Sequence, residues 1–266
     1  MRTRQAPIGI TAKDIAAEAV YLAGGGRALL LQIAHPAVGR GVAEHSDFAT
    51  RMMDRLHATM TFVYASVYAT PEEFAVVRRS VNRAHSPVRA QAAGDAPAYN
   101  AFDPELQLWV AATLYATMID LYERFFGMIR DADAERIYRE FTVLGSSLQV
   151  PPDAWPQSRA AFEEYWRDRL AELRPNADTK RVARQILYPS AIPWWMRALF
   201  PQARLVTVGL LPPEVRTGFG LAWDDRLQTR FDRWMRWAVL IYPRLPARLR
   251  HSPRDAYLKR LRASIG

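Results

Sequence analysis

Three polar residues have types and spacing that could build a reactive site. His85 ends the segment 71–85, whose helical period places it on an otherwise apolar face, just before the break expected at Pro87. Arg55 and Thr59 stand four residues apart on an upstream helical segment, so their side chains point the same way. A neutral imidazole can ligate a metal, and guanidinium and hydroxyl groups can donate hydrogen bonds to a ligand. The pattern therefore suggests a cofactor pocket.

The composition narrows the cofactors that such a pocket could hold. The chain has no cysteine, which excludes thiolate zinc sites, iron–sulfur clusters and covalent haem attachment. A haem held by one nitrogen ligand would suit the set best, and Arg78, on the same helix side as His85, could pair with a haem propionate. The alternative is structural: His85 would be a hydrogen-bonded core histidine, Arg55 a buried partner of an acid, and Thr59 a donor to its own helix.

Two other histidines offer a competing site. His35 precedes a proline at a predicted helix break, where it would either order the break or ligate a cofactor. His35 and His45, with Glu44 or Asp47, could form an iron site of two histidines and one carboxylate, although the spacing matches no specific motif. The remaining histidines are expected at the surface: His57 and His251.

Helical periodicity dominates the elements that would position these residues. Thr70-Pro71-Glu72-Glu73 and Asp103-Pro104 are helix starts, and the triple glycine 24–26 predicts a helix stop. Strand signals are nearly absent, with 204–211 as the one candidate strand. The predicted helices cover about 11–24, 27–34, 50–68, 71–85, 104–130, 133–144, 153–172, 178–187, 222–242 and 253–263. We therefore predict an all-α, single globular domain over 1–266, with 1–10 and about 245–266 peripheral.

Charge and hydropathy limit the partners. Of the 266 residues, 50% are hydrophobic and 24% are charged, as in ordinary globular proteins, and the net charge is +9. The basic residues are spread along the chain with no nucleic-acid-binding motif, so we expect no nucleic-acid partner. The N-terminus lacks a secretory signal and no apolar run is long enough for a transmembrane segment. We expect a cytoplasmic protein, with peripheral contact at a membrane surface and the oligomeric state left open.

Four stretches together resemble a known family. They are GGGRALLLQIAHPAVGRGVAEHSDF, the R-x-x-x-T of Arg55 and Thr59, the isolated His85, and YNAFDPELQLWVAATL. In order and approximate spacing these stretches resemble the rubber oxygenase (latex clearing protein) and MpaB-type oxygenase family, over most of 15–165. The C-terminal hundred residues add little to the likeness.

The resemblance implies a globin-like helical core that holds a non-covalent haem b. His85 would be the proximal ligand of the iron, and Arg55 and Thr59 would lie on the distal side. Characterised members use dioxygen to cleave a carbon–carbon double bond in an isoprenoid chain. Where rubber-cleaving members have a lysine just before the threonine, this chain has Ala58. Their distal glutamate, acting as a base, has Glu44 as its nearest counterpart here, with His35 and His45 as the alternative residues for that role.

Sequence reasoning thus yields a leading hypothesis and an alternative. The leading one is a haem-dependent oxygenase for a small hydrophobic or terpenoid substrate. The side chains predicted to line its pocket are Met52, Met60, Phe62 and Trp109. The alternative is a non-catalytic helical protein that stores or carries a hydrophobic ligand or haem, with His85 in a structural role.

Overall fold

A computed structural model describes residues 4–45, 48–189 and 197–265, with the side chains of 48–52 outside the description. Helices make up most of it, and one short antiparallel pair joins β1 (Arg89–Ala90) to β2 (Tyr99–Asn100). The helices are α1 Ala12–Ala16, α2 Tyr21–Ala34, α3 Pro36–His45, α4 Phe48–Tyr68, α5 Pro71–His85, α6 Pro104–Phe126, α7 Asp131–Glu140, α8 Val143–Ser146, α9 Arg159–Glu172, α10 Ala177–Leu187, α11 Phe200–Gly209, α12 Pro213–Phe219, α13 Asp225–Ile241, α14 Ala247–Arg250 and α15 Ser252–Ile265. The predicted all-α class is confirmed.

The predicted helix starts at Thr70 and Asp103 are present. The Thr70 hydroxyl accepts from the Glu73 amide, and the Glu73 carboxylate accepts from the Thr70 amide, which closes a capping box on α5. The Asp103 carboxylate accepts from two amides in the first turn of α6, where Pro104 occupies the first helical position. These local signals fix both helices that flank His85.

The triple glycine does not stop a helix, so that prediction was wrong. α2 runs through Gly24, Gly25 and Gly26, and a short turn after α1 takes the place of the expected break. A Cβ atom on Gly24 would lie 2.5 Å from Leu121 Cδ1 and 2.6 Å from Thr117 Cγ2 of α6. The glycines therefore serve packing rather than termination.

On its other side, α2 meets α11. A Cβ atom on Gly26 would collide with the Thr207 side chain, coming within 2.8 Å of its Cγ2. The segment 204–211, our one candidate strand, lies mostly in α11, with Leu205, Val206 and Val208 buried. Its β-branched residues Val206, Thr207 and Val208 are consecutive and all buried, so the helix is covered on more than one side and tertiary contact overrides their strand propensity.

α6 passes through the centre of the core. Trp109 is 1% exposed, stacks on Trp166 of α9 at 5.3 Å between ring centroids, and donates from Nε1 to the Leu31 carbonyl at 3.2 Å. One turn and a half later, Tyr115 meets Phe162 edge to face at 4.8 Å. Aromatic packing thus joins α6 to α9, and the hydrogen bond of the Trp109 indole joins α6 to the end of α2.

Both ends of the chain take part in the packing, beyond the peripheral place we expected for them. The Ala6 amide donates to the Met128 carbonyl at 2.9 Å, and Leu258 and Leu261 of α15 are buried. The buried Glu18 carboxylate accepts from Tyr242 Oη at 2.9 Å and forms an ion pair with Arg250. The C-terminal segment is therefore tied to the turn before α2.

Two histidines that we expected at the surface are half-buried. His57 Nδ1 lies 2.6 Å from the Tyr257 hydroxyl, and His251 Nε2 lies 3.2 Å from Glu18. His57 faces the C-terminal segment, whereas His251 belongs to that segment and faces the turn before α2; local helical geometry could predict neither contact. In the described ranges, no helix is both long enough and apolar enough to cross a bilayer.

Alanine substitutions along the triple glycine test the packing role. Gly26→Ala should lower the free energy of unfolding by about 1–3 kcal/mol, because the new methyl collides with Thr207. Gly25→Ala is the matched control, since its methyl would meet only Leu56 Cδ1 at 3.8 Å and should stabilise the helix by about 0.5–1 kcal/mol. Urea unfolding measures both, and equal effects would contradict the close approach.

Candidate functional site

His85 is the last residue of α5, where the chain turns towards β1. Its ring meets Phe102 edge-on, at 6.3 Å between centroids and 77° between planes. Nδ1 is buried without a hydrogen-bond partner. Burial, and then the nearby Arg55 guanidinium, lower the pKa of His85 from its ordinary value of 6.5. The imidazole is therefore neutral at pH 7, the form that ligates metals.

The predicted partners of His85 lie on α4. Arg55 and Thr59 are exposed, and so is Ala58 between them. One turn further on, Phe62 is buried and packs on Phe74 of α5 at 5.9 Å. These residues share one face of α4. The face is buried at its Phe62 end and exposed to solvent at its Arg55 end, which we call the open end of the α4 face. The positive charge of Arg55, at this end, adds to the lowering of the His85 pKa.

Arg78 is exposed on α5, seven residues before His85. Seven residues are close to two helical turns, so both residues lie on the same side of the helix, about 10 Å apart along its axis. An exposed guanidinium at that position could pair with the carboxylate of a ligand that binds beside α5.

A network of side-chain amides holds α5 against α6 one turn before His85. Gln107 Nε2 donates to the Ala101 carbonyl at 2.7 Å, and the Gln149 amide donates to Gln107 Oε1 at 2.9 Å. Gln149 Nε2 then donates to Asn82 Oδ1 at 3.2 Å. The sequence analysis missed these residues, although a glutamine among the apolar residues of α6 was the available signal.

Glu44 lies in a second polar cluster, at the end of α3. Tyr99 donates to Glu44 Oε2 at 2.7 Å, and Arg40 Nε donates to Oε1 at 2.7 Å. Both bonds lower the pKa of the Glu44 carboxyl, the Tyr99 bond most. His45 Nε2 lies 2.8 Å from the same Tyr99 hydroxyl. Since both carboxylate oxygens are engaged, Glu44 is held as an anion and is a weak proton acceptor.

His35 occupies the junction between α2 and α3. Its backbone is extended there, and its Nδ1 is buried without a partner. Burial, followed by Arg169, lowers the pKa of His35. Within the described part of the chain, no three His, Asp or Glu side chains converge as a metal site, so His35, His45 and Glu44 do not assemble one. Asp47, the other carboxylate that we considered, lies outside the described residues.

The residues predicted to line a substrate pocket are core residues where they are described. Met60 is buried in one cluster with Tyr64 and Leu258, and Phe62 and Trp109 are buried in the larger clusters. The Met52 side chain lies outside the description. Contact of these residues with a substrate stays a prediction.

Comparison with known proteins assigns the family. The model of the ER-bound oxygenase mpaB/B'/Rubber oxygenase catalytic domain matches residues 12–240. The chain belongs to this family. This oxygenase family assignment confirms the resemblance, and His85, Arg55 and Thr59 all fall within the matched range.

Curated relatives of this oxygenase domain come from mycobacteria. An uncharacterized protein of Mycobacterium bovis and one of Mycobacterium tuberculosis are each 36% identical to this chain over 212 residues. The alignments cover 78% of this chain and 82% of each relative. No solved structure gives a significant match.

The depressed pKa of His85 predicts a pH effect on stability. Below about pH 6.5 the unfolded chain binds a proton at His85 that the folded chain resists, so stability should fall as the pH drops below 6.5. Replacement by an uncharged ring, His85→Phe, should reduce the loss between about pH 7.5 and about pH 5. Urea unfolding at the two pH values measures it, and an unchanged loss would contradict the neutral imidazole.

Proposed function

We propose that this chain is a haem b-dependent oxygenase that uses dioxygen to oxidise a small lipophilic or isoprenoid substrate. His85 would be the protein ligand of the iron. The observation that carries the proposal is a neutral imidazole with a buried, unpartnered nitrogen, in a chain of an oxygenase catalytic-domain family. Oxidative cleavage of a carbon–carbon double bond is the reaction that the rubber oxygenase likeness favours.

Several features of the residues around His85 support a bound haem. The unpartnered nitrogen of His85 is Nδ1, and a ligand that bonds to Nδ1 would remove the free-energy cost of burying it without a partner. The chain has no cysteine, so a histidine is the strongest iron ligand available. The positive charge of Arg55, at the open end of the α4 face, acts on His85, and Arg78 could receive a propionate. When bound, haem would supply the redox chemistry with dioxygen that side chains lack.

The side chains near His85 would then bind the oxygen-bearing ligand and position the histidine. Arg55 carries a fixed positive charge and Thr59 a hydroxyl, so together they could hold an oxygen-bearing ligand through directed hydrogen bonds. Ala58, between them, has no group to compete for that position. Asn82 and Gln107, linked through Gln149, would hold the end of α5, and with it His85, at a fixed position along α6.

Glu44 does not suit the role of general base that we considered for it. A base needs a free oxygen and a pKa near the working pH, whereas both Glu44 oxygens accept strong bonds that lower its pKa. We assign Glu44 to holding α3 against β2 through Tyr99. His35, which is neutral and unpartnered, is the second candidate for contact with the cofactor.

Absorbance spectroscopy tests the cofactor. Protein reconstituted with hemin should show a Soret band that is lost or shifted in His85→Ala and is restored by added imidazole, because imidazole can fill the vacated ligand position. His35→Ala is the matched control, since it removes the other histidine with a buried, unpartnered nitrogen, and it should keep the band. Protein that gains no band with hemin would overturn the proposal, and loss of the band only in His35→Ala would move the ligand.

Substitutions on α4 test the distal assignment. In hemin-loaded protein, Arg55→Ala should slow oxygen consumption with squalene as the probe substrate by about a hundredfold, as expected for the loss of a fixed donor at a reacting centre. Thr59→Val should act in the same direction and leave the Soret band in place. The control is Arg79→Ala, which removes an exposed arginine of α5. Unaltered rates in both α4 variants would refute the assignment.

A further inference from the structure

The outward face of α13 presents apolar and basic side chains together. Residues at spacings of three, four and seven form a stripe about 100° wide along the helix. We call this stripe the α13 outer face: Arg226, Arg230, Arg233, Trp237, Leu240 and Ile241. All six are exposed; Trp237 is 60% exposed and Ile241 is 52% exposed. Single exposed apolar residues are ordinary, but a contiguous group on one helix face is not.

The opposite side of α13 is fixed in the core. Phe231 and Met235 are buried, and Phe231 packs against Gly209 of α11 so closely that a Cβ atom there would overlap its ring. The helix therefore cannot rotate to bury Trp237 and Leu240. These side chains stay in water unless another body covers them.

The apolar group continues past the end of α13. Leu245 and Leu249 are exposed, the latter by 60%, in the segment that leads through α14. Arg244 and Arg248 accompany them and are also exposed. The exposed surface thus begins with three arginines, continues with three apolar side chains, and alternates arginine with leucine only at 244–249.

The arginines of this surface have no acidic partners of their own. In the ranges that the structure describes, no carboxylate makes an ion pair with Arg226, Arg230 or Arg233. The acid in the middle of α13, Asp232, accepts instead from Gln228 Nε2 at 2.8 Å. The surface therefore offers positive charge beside exposed apolar area, and the exposed Asp225 and Asp232, on other sides of α13, offset that charge only in part. A partner that complements it has both negative charge and an apolar interior.

We propose that the α13 outer face docks onto the surface of an anionic phospholipid bilayer. The helix would lie in the plane of the interface, with Trp237, Leu240 and Ile241 among the upper acyl chains and the arginines at the phosphates. Trp237 suits this boundary because an indole combines apolar area with one N–H donor. A second copy of this chain is a poorer occupant, because each copy carries a net charge of +9 and the face itself is basic.

Co-sedimentation with vesicles tests the docking. The protein should pellet with vesicles of phosphatidylcholine and phosphatidylglycerol, pellet far less with phosphatidylcholine alone, and be released by salt. The double substitution Trp237→Ser/Leu240→Ser should weaken binding by about tenfold or more. Arg233→Gln should weaken binding by about fivefold, the effect of one basic residue at an anionic surface.

Matched controls separate the face from general charge and hydrophobicity. Ile8→Ser removes an apolar residue that is 74% exposed elsewhere, and Arg139→Gln removes an exposed arginine of α7. Both variants should bind vesicles like the wild type, and all variants should keep the wild-type melting temperature because the altered side chains are exposed. Equal losses in the controls, or no binding to the anionic vesicles at low salt, would overturn the proposal.

Two further outcomes are decisive. In the first, light scattering shows a dimer that the Trp237→Ser/Leu240→Ser variant does not form, and the wild type does not bind vesicles. The face would then join two copies of the chain, and the membrane proposal would be wrong. Vesicle binding requires neither haem nor His85, so His85→Ala should bind vesicles fully. Failure of docking and failure of the proposed oxygenase chemistry therefore give separate signals.

Discussion

The close approach of α2 to α6 and α11 is the constraint on which the rest of the structure depends. Because positions 24 and 26 are glycines, the backbone of α2 lies so close to α6 and α11 that no methyl group would fit between them. The approach also buries Arg27, which pairs with Asp120 of α6 at 3.3 Å, and burial lowers its pKa despite that partner. Once α2 and α6 are fixed together, the end of α2 sets where α3 begins, and the start of α6 sets the loop beside His85.

At the histidine site, hydrogen bonds fix the position of the backbone more firmly than they fix the His85 ring. The capping box on α5, the N-cap on α6 and the amide network between them fix where His85 sits. Around the ring itself, Nδ1 has no partner and the Arg55 end of the α4 face is open. Nδ1 of His85 is one of several buried polar atoms without a partner in the described part of the chain, and a ligand that bonded to it would satisfy it.

The sequence predicted the elements whose signals are local. Thr70, Glu73 and Asp103 carry their capping partners within three residues, and these helix starts were confirmed. The triple glycine was misread because its meaning depends on Thr117 and Thr207, which lie far along the chain. The α11 segment was ambiguous for the same reason, since its β-branched residues are compatible with a strand until α2 packs against them.

The candidate site was predictable to a similar degree. Helical spacing put Arg55 with Thr59 and Arg78 with His85, and the family likeness joined the two pairs. Spacing could not show that Tyr99 and Arg40 take both oxygens of Glu44, because the hairpin that delivers Tyr99 leaves little trace in the sequence. Spacing also could not show that Asn82, Gln107 and Gln149 form a hydrogen-bonded network, since side-chain amides follow no periodic pattern in the sequence.

The contact between Glu18 and the C-terminal segment means that the folded unit extends beyond the range that the family model matches. The family match ends at residue 240, yet the carboxylate of Glu18 finds Tyr242, Arg250 and His251 beyond that point. A chain cut at the family boundary would lose these partners of Glu18 together with the buried Leu258 and Leu261 of α15, which pack on the rest of the helices. Gene fragments meant for expression should therefore run to the end of α15.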